Sequence, residues 1–265
     1  MSLLRLIARL DIKGRNVVKG VQMEGLRVVG DPAEMAKNYA EQGADEILYI
    51  DTVASLYGRN QLETLLEKTC ADVFVPITVG GGIASVSDAR RLFNAGADKI
   101  AVNTAALKRP DLINELAEHF GSQAVVVSIE AKRAGNGWEA YMDNGRNRAG
   151  RDAISWAEDA VKRGAGEVLL TSVDRDGTRR GFDVDLYAAI APNVPVPVTA
   201  SGGCGSLEHL RSVLVEGKAD AVAVGSMLHY GKTTFEEMRA AVSGLRQKGG
   251  YGQVNQDCKG SLGSP

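Results

Sequence analysis

The two halves of the chain resemble each other, and this internal repeat constrains the fold more than any other feature. Four segments recur in the same order about 120 residues later: ARLDIK (8–13) as VSIEAK (127–132), GADEILYID (43–51) as GAGEVLLTS (164–172), ITVGGG (77–82) as VTASGG (198–203), and ADKIAVNT (97–104) as ADAVAVGS (219–226). The offsets are 119, 121, 121 and 122 residues. A shared βα composition would not by itself produce four matches in order, so the pattern indicates a duplicated half.

Short apolar runs alternate with amphipathic stretches within each half. The runs are bounded by Gly, Pro or Asp, as expected of strands buried on both faces. They cover 3–11, 46–51, 75–79, 99–103, 124–130, 167–172, 196–200 and 221–225. Helical patterns between them include 31–43, 85–96 and 152–164. Eight strand–helix units in about 245 residues predict an α/β fold, a (β/α)8 TIM barrel. A doubly wound open sheet is the structural alternative, but the duplication favours a closed ring of two half-barrels.

We therefore expect a single barrel domain over residues 1–247. Residues 248–265 are polar and glycine-rich without apolar periodicity, and we expect this tail to be disordered. Because the 33 acidic residues nearly balance the 31 Lys and Arg, and aromatic residues make up 5%, the composition argues against a nucleic-acid partner. No apolar run approaches the ~20 residues that span a bilayer, so no membrane contact is expected.

The few cysteines and histidines point to no metal or disulfide. The three cysteines form no CxxC and suggest reduced thiols, which are typical of a cytoplasmic protein. His119, His209 and His229 show no ligand spacing. We expect no metal and no cofactor.

Two carboxylates end strands that face each other in the predicted ring. Asp11 ends the first strand and Glu130 ends the fifth, so both should flank the centre of the barrel mouth, where this fold carries its chemistry. One could act as general acid and the other as general base if burial separates their pKa values. The alternative is that each caps a loop or pairs with a nearby lysine, Lys13 or Lys132.

Two glycine-rich connections, half a barrel apart, resemble phosphate sites. Backbone N–H groups at glycine can approach an anion closely, and a following helix N-terminus adds a positive dipole. A single GGG is weak evidence, but the construction occurs twice and predicts a ligand with a phosphate at each end. The substrate-binding residues that we predict at this face are Lys19, Gly81, Gly82, Asn103, Thr104, Thr171, Asp176, Gly177, Ser201, Gly202, Gly203, Gly225 and Ser226. Lys19 lies centrally in 12–30, a glycine-containing segment long enough to form a lid, although a solvated surface lysine is an equal alternative.

Charged residues also stand at the opposite ends of the strands. Arg5, Glu46, Lys99 and Glu167 could form a ring of ion pairs at the barrel base. The alternative is that these strand ends are simply exposed to solvent. Glu46 and Asp51 have opposite parity on one strand, so both point inward only if that strand has a bulge.

These segments together resemble the cyclase subunit of imidazole glycerol phosphate synthase, the HisF family. The resemblance runs through roughly residues 4–245 and rests on LDIKGRNVVKG, GDPAE, TVGGGI, ADKIAVNTAA, GSQAVVV, GAGEVLLTSVDRDGT and ASGGCG. It implies a lyase whose glutaminase partner docks at the barrel bottom as a heterodimer. Ammonia passes the gate of Arg5, Glu46, Lys99 and Glu167 and meets a bisphosphorylated ribulosyl-formimino substrate at the top.

The resemblance also implies roles for individual residues. Asp11 and Glu130 take the positions of the two catalytic acids, Lys19 that of the lysine of a mobile loop, and Asp98 that of a residue contacting the glutaminase. The histidine-pathway phosphoribosyl isomerase shares the duplication and the paired acids but needs no ammonia gate, so the gate favours the cyclase.

Two positions depart from the family pattern. Position 130 is Glu where the family has Asp, and position 9 is Arg where a small Cys is usual. Arg9 shares the parity of Asp11, so we expect it to point inward and to lower the pKa of Asp11 or Glu130 by pairing. The stretch from 23 to 60 also resembles second copies associated with surface-polysaccharide genes. Two alternatives to the histidine-pathway cyclase therefore stay open: a paralogue that delivers ammonia to a sugar amidotransferase, and a non-catalytic scaffold that docks a glutaminase.

Overall fold

Eight parallel strands close into a ring in the computed structural model of the protein, which describes residues 4–54 and 62–245. The ring strands, in chain order, are β1 (Arg5–Lys13), β4 (Glu46–Asp51), β5 (Ile77–Gly80), β6 (Lys99–Val102), β7 (Val125–Ala134), β10 (Glu167–Ser172), β11 (Val198–Ser201) and β12 (Ala221–Val224). Each pairs in parallel with the next, and β12 returns to β1. The (β/α)8 barrel is therefore confirmed and the open sheet is excluded. The predicted disordered tail, 248–265, lies outside the described residues.

Helices connect the strands and pack around the ring. Their bounds are α1 (Pro32–Glu41), α2 (Leu62–Cys70), α3 (Val86–Asn94), α4 (Thr104–Lys108), α5 (Asp111–Phe120), α6 (Ala153–Lys162), α7 (Val184–Ile190), α8 (Leu207–Val215), α9 (Ser226–His229) and α10 (Phe235–Val242). Several start where a short polar side chain accepts backbone N–H bonds of the first turn, as Asp31 does for α1 and Ser85 for α3. The three helical patterns predicted from sequence correspond to α1, α3 and α6.

A β-hairpin follows the first strand of each half. β2 (Asn16–Val21) and β3 (Glu24–Gly30) follow β1, and β8 (Gly137–Met142) and β9 (Asn147–Asp152) follow β7. The segment 12–30, which the sequence indicates only as long enough to form a lid, is therefore mostly a β-hairpin. The valine-rich runs of this segment pair as antiparallel strands, and Gln22 and Met23 make the tight turn with positive φ. The second hairpin extends the twofold repeat.

The interior of the ring is layered along the barrel axis. Side chains alternate between inside and outside along each strand, so every second residue faces the axis. Charged side chains occupy the base, and polar side chains occupy the mouth. Between them lies a small apolar layer, formed by Ile7, Leu48, Ala101, Val126, Leu169, Ala221 and Ala223. The larger core lies between the outer faces of the strands and the helices.

Candidate active site

Asp11 lies at the mouth of the barrel in a buried network of ion pairs. Its Oδ1 accepts a bond from Arg9 Nε at 2.8 Å, and its Oδ2 accepts one from Lys19 Nζ at 2.9 Å. Lys19 Nζ also donates to both carboxylate oxygens of Asp176 at 3.0 Å. Burial opposes ionisation of Asp11, but the charges of Arg9 and Lys19 outweigh it and hold the pKa of Asp11 well below its usual range. Asp11 is therefore a fixed carboxylate.

Arg9 points into the barrel, as its parity with Asp11 predicts. Besides Asp11, it contacts two hydroxyls on the far strands of the second half: Nη1 donates to Thr171 Oγ1 and to Ser201 Oγ, both at 2.9 Å. Arg9 is 4% exposed. Its direct ion-pair partner is Asp11 rather than Glu130, so the sequence expectation of a lowered pKa holds for Asp11 alone.

Glu130 stands opposite Asp11 and has the opposite electrostatic character. Its Oε2 accepts the backbone N–H of Gly145 at 2.7 Å. Burial raises the pKa of Glu130 to about 7, although the Gly145 hydrogen bond and the charge of Arg9 act in the other direction. The nearby negative charges of Asp11 and Asp143 act in the same direction as burial and are part of this rise in pKa. A carboxyl group that titrates near neutrality can both release and accept a proton at physiological pH.

The two glycine turns are dictated by close backbone packing. Gly81 has φ +109°, and a Cβ there would lie 2.5 Å from the carbonyl oxygen of Asp51. Gly202 has φ +92°, and a Cβ there would lie 2.6 Å from the carbonyl oxygen of Ser172. Each glycine thus packs against the end of the preceding ring strand, half a barrel from its equivalent. The neighbouring Gly82 and Gly203 also have positive φ.

A cavity of about 270 Å³ opens on the first-half side of the mouth. Its lining includes the predicted residues Gly81, Gly82, Asn103, Thr104 and Glu130. The short helix α4 begins in this wall, and no side chain caps its first turn. Glycine N–H groups, the open helix start and a titratable carboxyl group therefore border one space.

The second-half residues lie instead beneath the first hairpin. Gln22 N donates to Asp176 O at 2.7 Å, and Gly177 approaches Gly20 so closely that a Cβ would lie 2.1 Å from its carbonyl oxygen. The predicted residue Ser201 ends β11, and Gly202 and Gly203 follow it. Gly225 and Ser226 follow β12 at the start of α9, which also has no side-chain cap. The structure therefore brings the second set together, but with Ser201 bonded to Arg9 and Asp176 bonded to Lys19.

The four charged residues at the base form a closed ring of ion pairs. Arg5 contacts Glu46 at 2.9 Å and Glu167 at 2.9 Å, and Lys99 contacts the same two carboxylates at 2.8 and 3.0 Å. Glu46 points inward on a regular strand, whereas Asp51 accepts the N–H groups of Val53 and Ala54 outside the ring. The ring needs no bulge in β4.

Asp98 also lies at the base, immediately before β6. Its Oδ2 accepts the backbone N–H of Ile77 at 2.8 Å. Asp45 and Asp220 hold the starts of neighbouring strands in the same way, through Leu6 N and Val198 N. Asp98 thus has a structural contact in the barrel in addition to any contact with a partner.

The sequence interpretation missed the turn of the second hairpin. Asp143, Asn144 and Gly145 have consecutive positive φ values, and the turn folds down over the mouth. Gly145 N in this turn donates to Glu130, and Asp143 N donates to Thr104 Oγ1 at 2.9 Å. Asn144 lines the cavity, and its buried Nδ2 has no hydrogen-bond partner among the described groups. The DNG sequence is a hairpin signal that could have revealed it.

Within the described residues, no helix is both long and apolar enough to span a bilayer, and no cluster of His, Cys, Asp and Glu suits a metal ion.

Comparison with known proteins finds relatives that match over the barrel. The family described as histidine biosynthesis protein matches residues 5–234. A Legionella pneumophila protein named imidazole glycerol phosphate synthase subunit HisF is 60% identical over 212 residues, which are 80% of this chain and the whole of that protein. A Myxococcus xanthus (strain DK1622) protein of the same name is 49% identical over 245 residues, or 92% of this chain and 96% of that protein.

Proposed function

The chain belongs to the histidine biosynthesis protein family and, within it, to the HisF subunits of imidazole glycerol phosphate synthase, and on this premise we propose the reaction that it catalyses. It is the ammonia-dependent cyclase subunit, a lyase. Its substrate is a bisphosphorylated ribulosyl-formimino aminoimidazole carboxamide ribotide. Its products are imidazole glycerol phosphate and aminoimidazole carboxamide ribotide.

One observation carries the proposal: two facing carboxyl groups in one mouth have opposite electrostatic properties. Asp11 stays ionised between Arg9 and Lys19, whereas burial raises the pKa of Glu130 to about 7. A fixed anion can stabilise positive charge on the reacting substrate, and a group titrating near 7 can transfer protons. Ring closure with ammonia requires both tasks.

The substrate has a phosphate at each end, and each half of the barrel offers a place for one. Gly81, Gly82, Asn103 and Thr104 bind the first phosphate beside Glu130, where backbone N–H groups and the uncapped start of α4 favour an anion. The second phosphate binds at the equivalent second-half residues: Asp176 and Gly177 at the entrance, and Ser201, Gly202, Gly203, Gly225 and Ser226 below them. Thr171 and Lys19 position the substrate between the two ends.

The base of the barrel receives the partner. A glutaminase subunit docks there, contacts Asp98 and releases ammonia beneath the ring of Arg5, Glu46, Lys99 and Glu167. The support is the position of the ring: it is the layer through which a molecule must pass to reach the axis from below. Ion-pair exchange within the ring would open the path, and neutral ammonia then crosses the apolar layer.

The test is turnover by the purified chain with ammonium salt as nitrogen source, followed by product absorbance. We expect activity without a glutaminase, because the barrel mouth contains the reacting groups. The Glu130→Gln variant should lose at least ~10²-fold in kcat, the low end for removal of a general acid or base. Glu118→Gln is the matched control, since Glu118 is an exposed carboxylate on α5.

Complementation separates the proposal from the two alternatives. The chain should restore growth of a histidine auxotroph that lacks the cyclase subunit. No comparison favours the polysaccharide-linked paralogue or the non-catalytic scaffold specifically. Glutaminase activation without cyclisation of the substrate, together with failure to complement despite folded protein, would reject the cyclase and favour one of them.

A further inference from the structure

Arg9 fills one side of the barrel mouth. From β1 its guanidinium reaches over β12 to Ser201 on β11 and Thr171 on β10, all of which belong to the second-half side of the ring. The bond to Asp11 holds the other edge of the same guanidinium. Because Arg9 is buried and all three contacts are 2.8–2.9 Å, this side of the polar layer contains a rigid, charged side chain.

The opposite side of the same layer is open. The cavity follows β4, β5, β6 and β7 and extends from the glycine turn down to Ala101 and Ile50. Ala101 belongs to the apolar layer in the centre of the barrel, and Ile50 packs against that layer. Glu130 and Ser128 stand in the wall above it. A small neutral molecule that rises through the apolar layer therefore enters the mouth on the Glu130 side.

We propose that Arg9 is a positioning residue that fills the second-half side of the polar layer below the second phosphate position, fixes Asp11 as a counter-ion and leaves Glu130 to meet the incoming ammonia and exchange its proton. This inference rests on the proposed function. It deepens that function by dividing the two carboxyl groups: Asp11 does not take part in proton transfer, whereas Glu130 does.

The proton balance is simple. Ammonia adds through its nitrogen lone pair to the electrophilic carbonyl carbon of the ribulosyl group, the π electron pair of the carbonyl moves to its oxygen, and the nitrogen becomes a cation with four bonds. The Glu130 carboxylate takes one N–H proton, and the electron pair of that bond stays on the nitrogen. The protonated Glu130 then gives this proton to the negatively charged oxygen, which yields a neutral carbinolamine and regenerates the carboxylate.

The charged groups around the pair agree with this division. Glu130 faces Arg9 and Asp11 from β1 and Asp143 from the second hairpin. Asp11 faces Arg9 and also Lys19 from the first hairpin, which is itself bonded to Asp176. His229 on α9 shares this environment, but burial lowers its pKa to about 4, so it is neutral at pH 7. Two cations touch Asp11, whereas neither of them forms an ion pair with Glu130.

The direct test is a carboxyl 13C NMR titration of the free protein, which needs no substrate and no activity. In the unaltered protein we expect Glu130 to titrate near pH 7 and Asp11 to stay ionised across the range in which the protein is folded. In Arg9→Met the pKa of Asp11 should rise by ~1–3 units, the usual effect of removing an adjacent opposite charge. In Arg9→Lys the pKa of Asp11 should rise less than in Arg9→Met. Arg15→Met, at an exposed arginine, should leave the titration of both carboxyl groups unchanged.

The kinetic test is the pH dependence of kcat with ammonium salt. In the unaltered protein kcat should fall as the pH drops through about 7, because Glu130 becomes protonated. This acid limb should be absent in Glu130→Gln and present, with a lower kcat, in Asp11→Asn. Arg9→Met should lower kcat by about 10-fold or more and add a second ionisation to the limb, and Arg9→Lys should recover part of the rate. If Arg9→Met does not fold, Arg9→Lys alone tests the role of Arg9.

Any of three results would overturn the inference. The acid limb could persist in Glu130→Gln, it could vanish in Asp11→Asn, or the titration of Asp11 could stay unchanged in both Arg9 variants. Failure of the proposed function looks different, because the unaltered protein would then form no product while its NMR titration stayed interpretable.

Discussion

Replacement of Glu130 by Gln should change how the stability of the protein depends on pH. The variant keeps a side-chain oxygen that can accept the Gly145 N–H bond, but it cannot ionise. Any constant cost of the amide group is the same at every pH. The difference in unfolding free energy between the two proteins, followed against pH, therefore isolates the ionisation of Glu130.

The magnitude follows from the raised pKa. A rise from the ordinary value of 4.5 to about 7 is worth about 3 kcal/mol, at about 1.4 kcal/mol per pH unit. Between these values the folded state holds a proton that the unfolded chain releases. The advantage of the unaltered protein is thus fully present below pH 4.5 and is lost as the pH rises through about 7.

Urea unfolding between pH 5 and 8 measures this difference. Fluorescence reports it well, because both tryptophans, Trp138 and Trp156, are buried in the folded state. The unaltered protein should lose ~2–3 kcal/mol relative to Glu130→Gln across this range. Glu118→Gln, at an exposed site, should show no such trend. A difference that stays constant from pH 5 to 8 would refute the argument that burial perturbs Glu130.

Three further substitutions, one of them with a matched glycine control, test other parts of the barrel. Glu167→Gln should lower the unfolding free energy by ~3 kcal/mol at pH 7, because it weakens a buried ion-pair ring. The charges of Arg5 and Lys99 outweigh burial and lower the pKa of Glu167, so this loss of unfolding free energy should become smaller when urea unfolding is measured at acid pH. Gly203→Ala should lower the unfolding free energy by ~3 kcal/mol or more, since its Cβ would lie 2.2 Å from a carbonyl oxygen. Gly231→Ala is the control: its φ is also positive but the space around it is open, so the same urea assay should show a loss of about 1 kcal/mol. Lys19→Met should lower the unfolding free energy by ~3–5 kcal/mol, measured by thermal and urea unfolding, and should raise the pKa of Asp11, measured by NMR. An unchanged unfolding free energy would mean that Lys19 is a solvated surface residue.

Much of the barrel is readable in the chain because strand patterns depend on local chemistry. The run EILYID at 46–51 is bounded by turn residues and forms a strand with those same limits. The repeat of this segment at 167–172 does so too. Parity along β1 also places Arg5, Arg9 and Asp11 inside the ring, because side chains alternate strictly along a strand. The sequence analysis does not predict the hairpin within 12–30, where strand pairing outweighs the flexibility of a few glycines.

The sequence by itself determined the duplicated halves, the closed ring and the residue types at each end of the barrel. These follow from periodicity within each run and from a repeat spacing of about 120 residues, both of which can be read along the chain. Tertiary structure alone decided which charge meets which. It pairs Arg9 with Asp11 rather than Glu130, buries Lys19 between two carboxylates, and folds the Asp143–Gly145 turn onto Glu130. Such choices depend on distances between groups remote in the chain and on the loss of water around them, because burial sets the strength of a charge interaction.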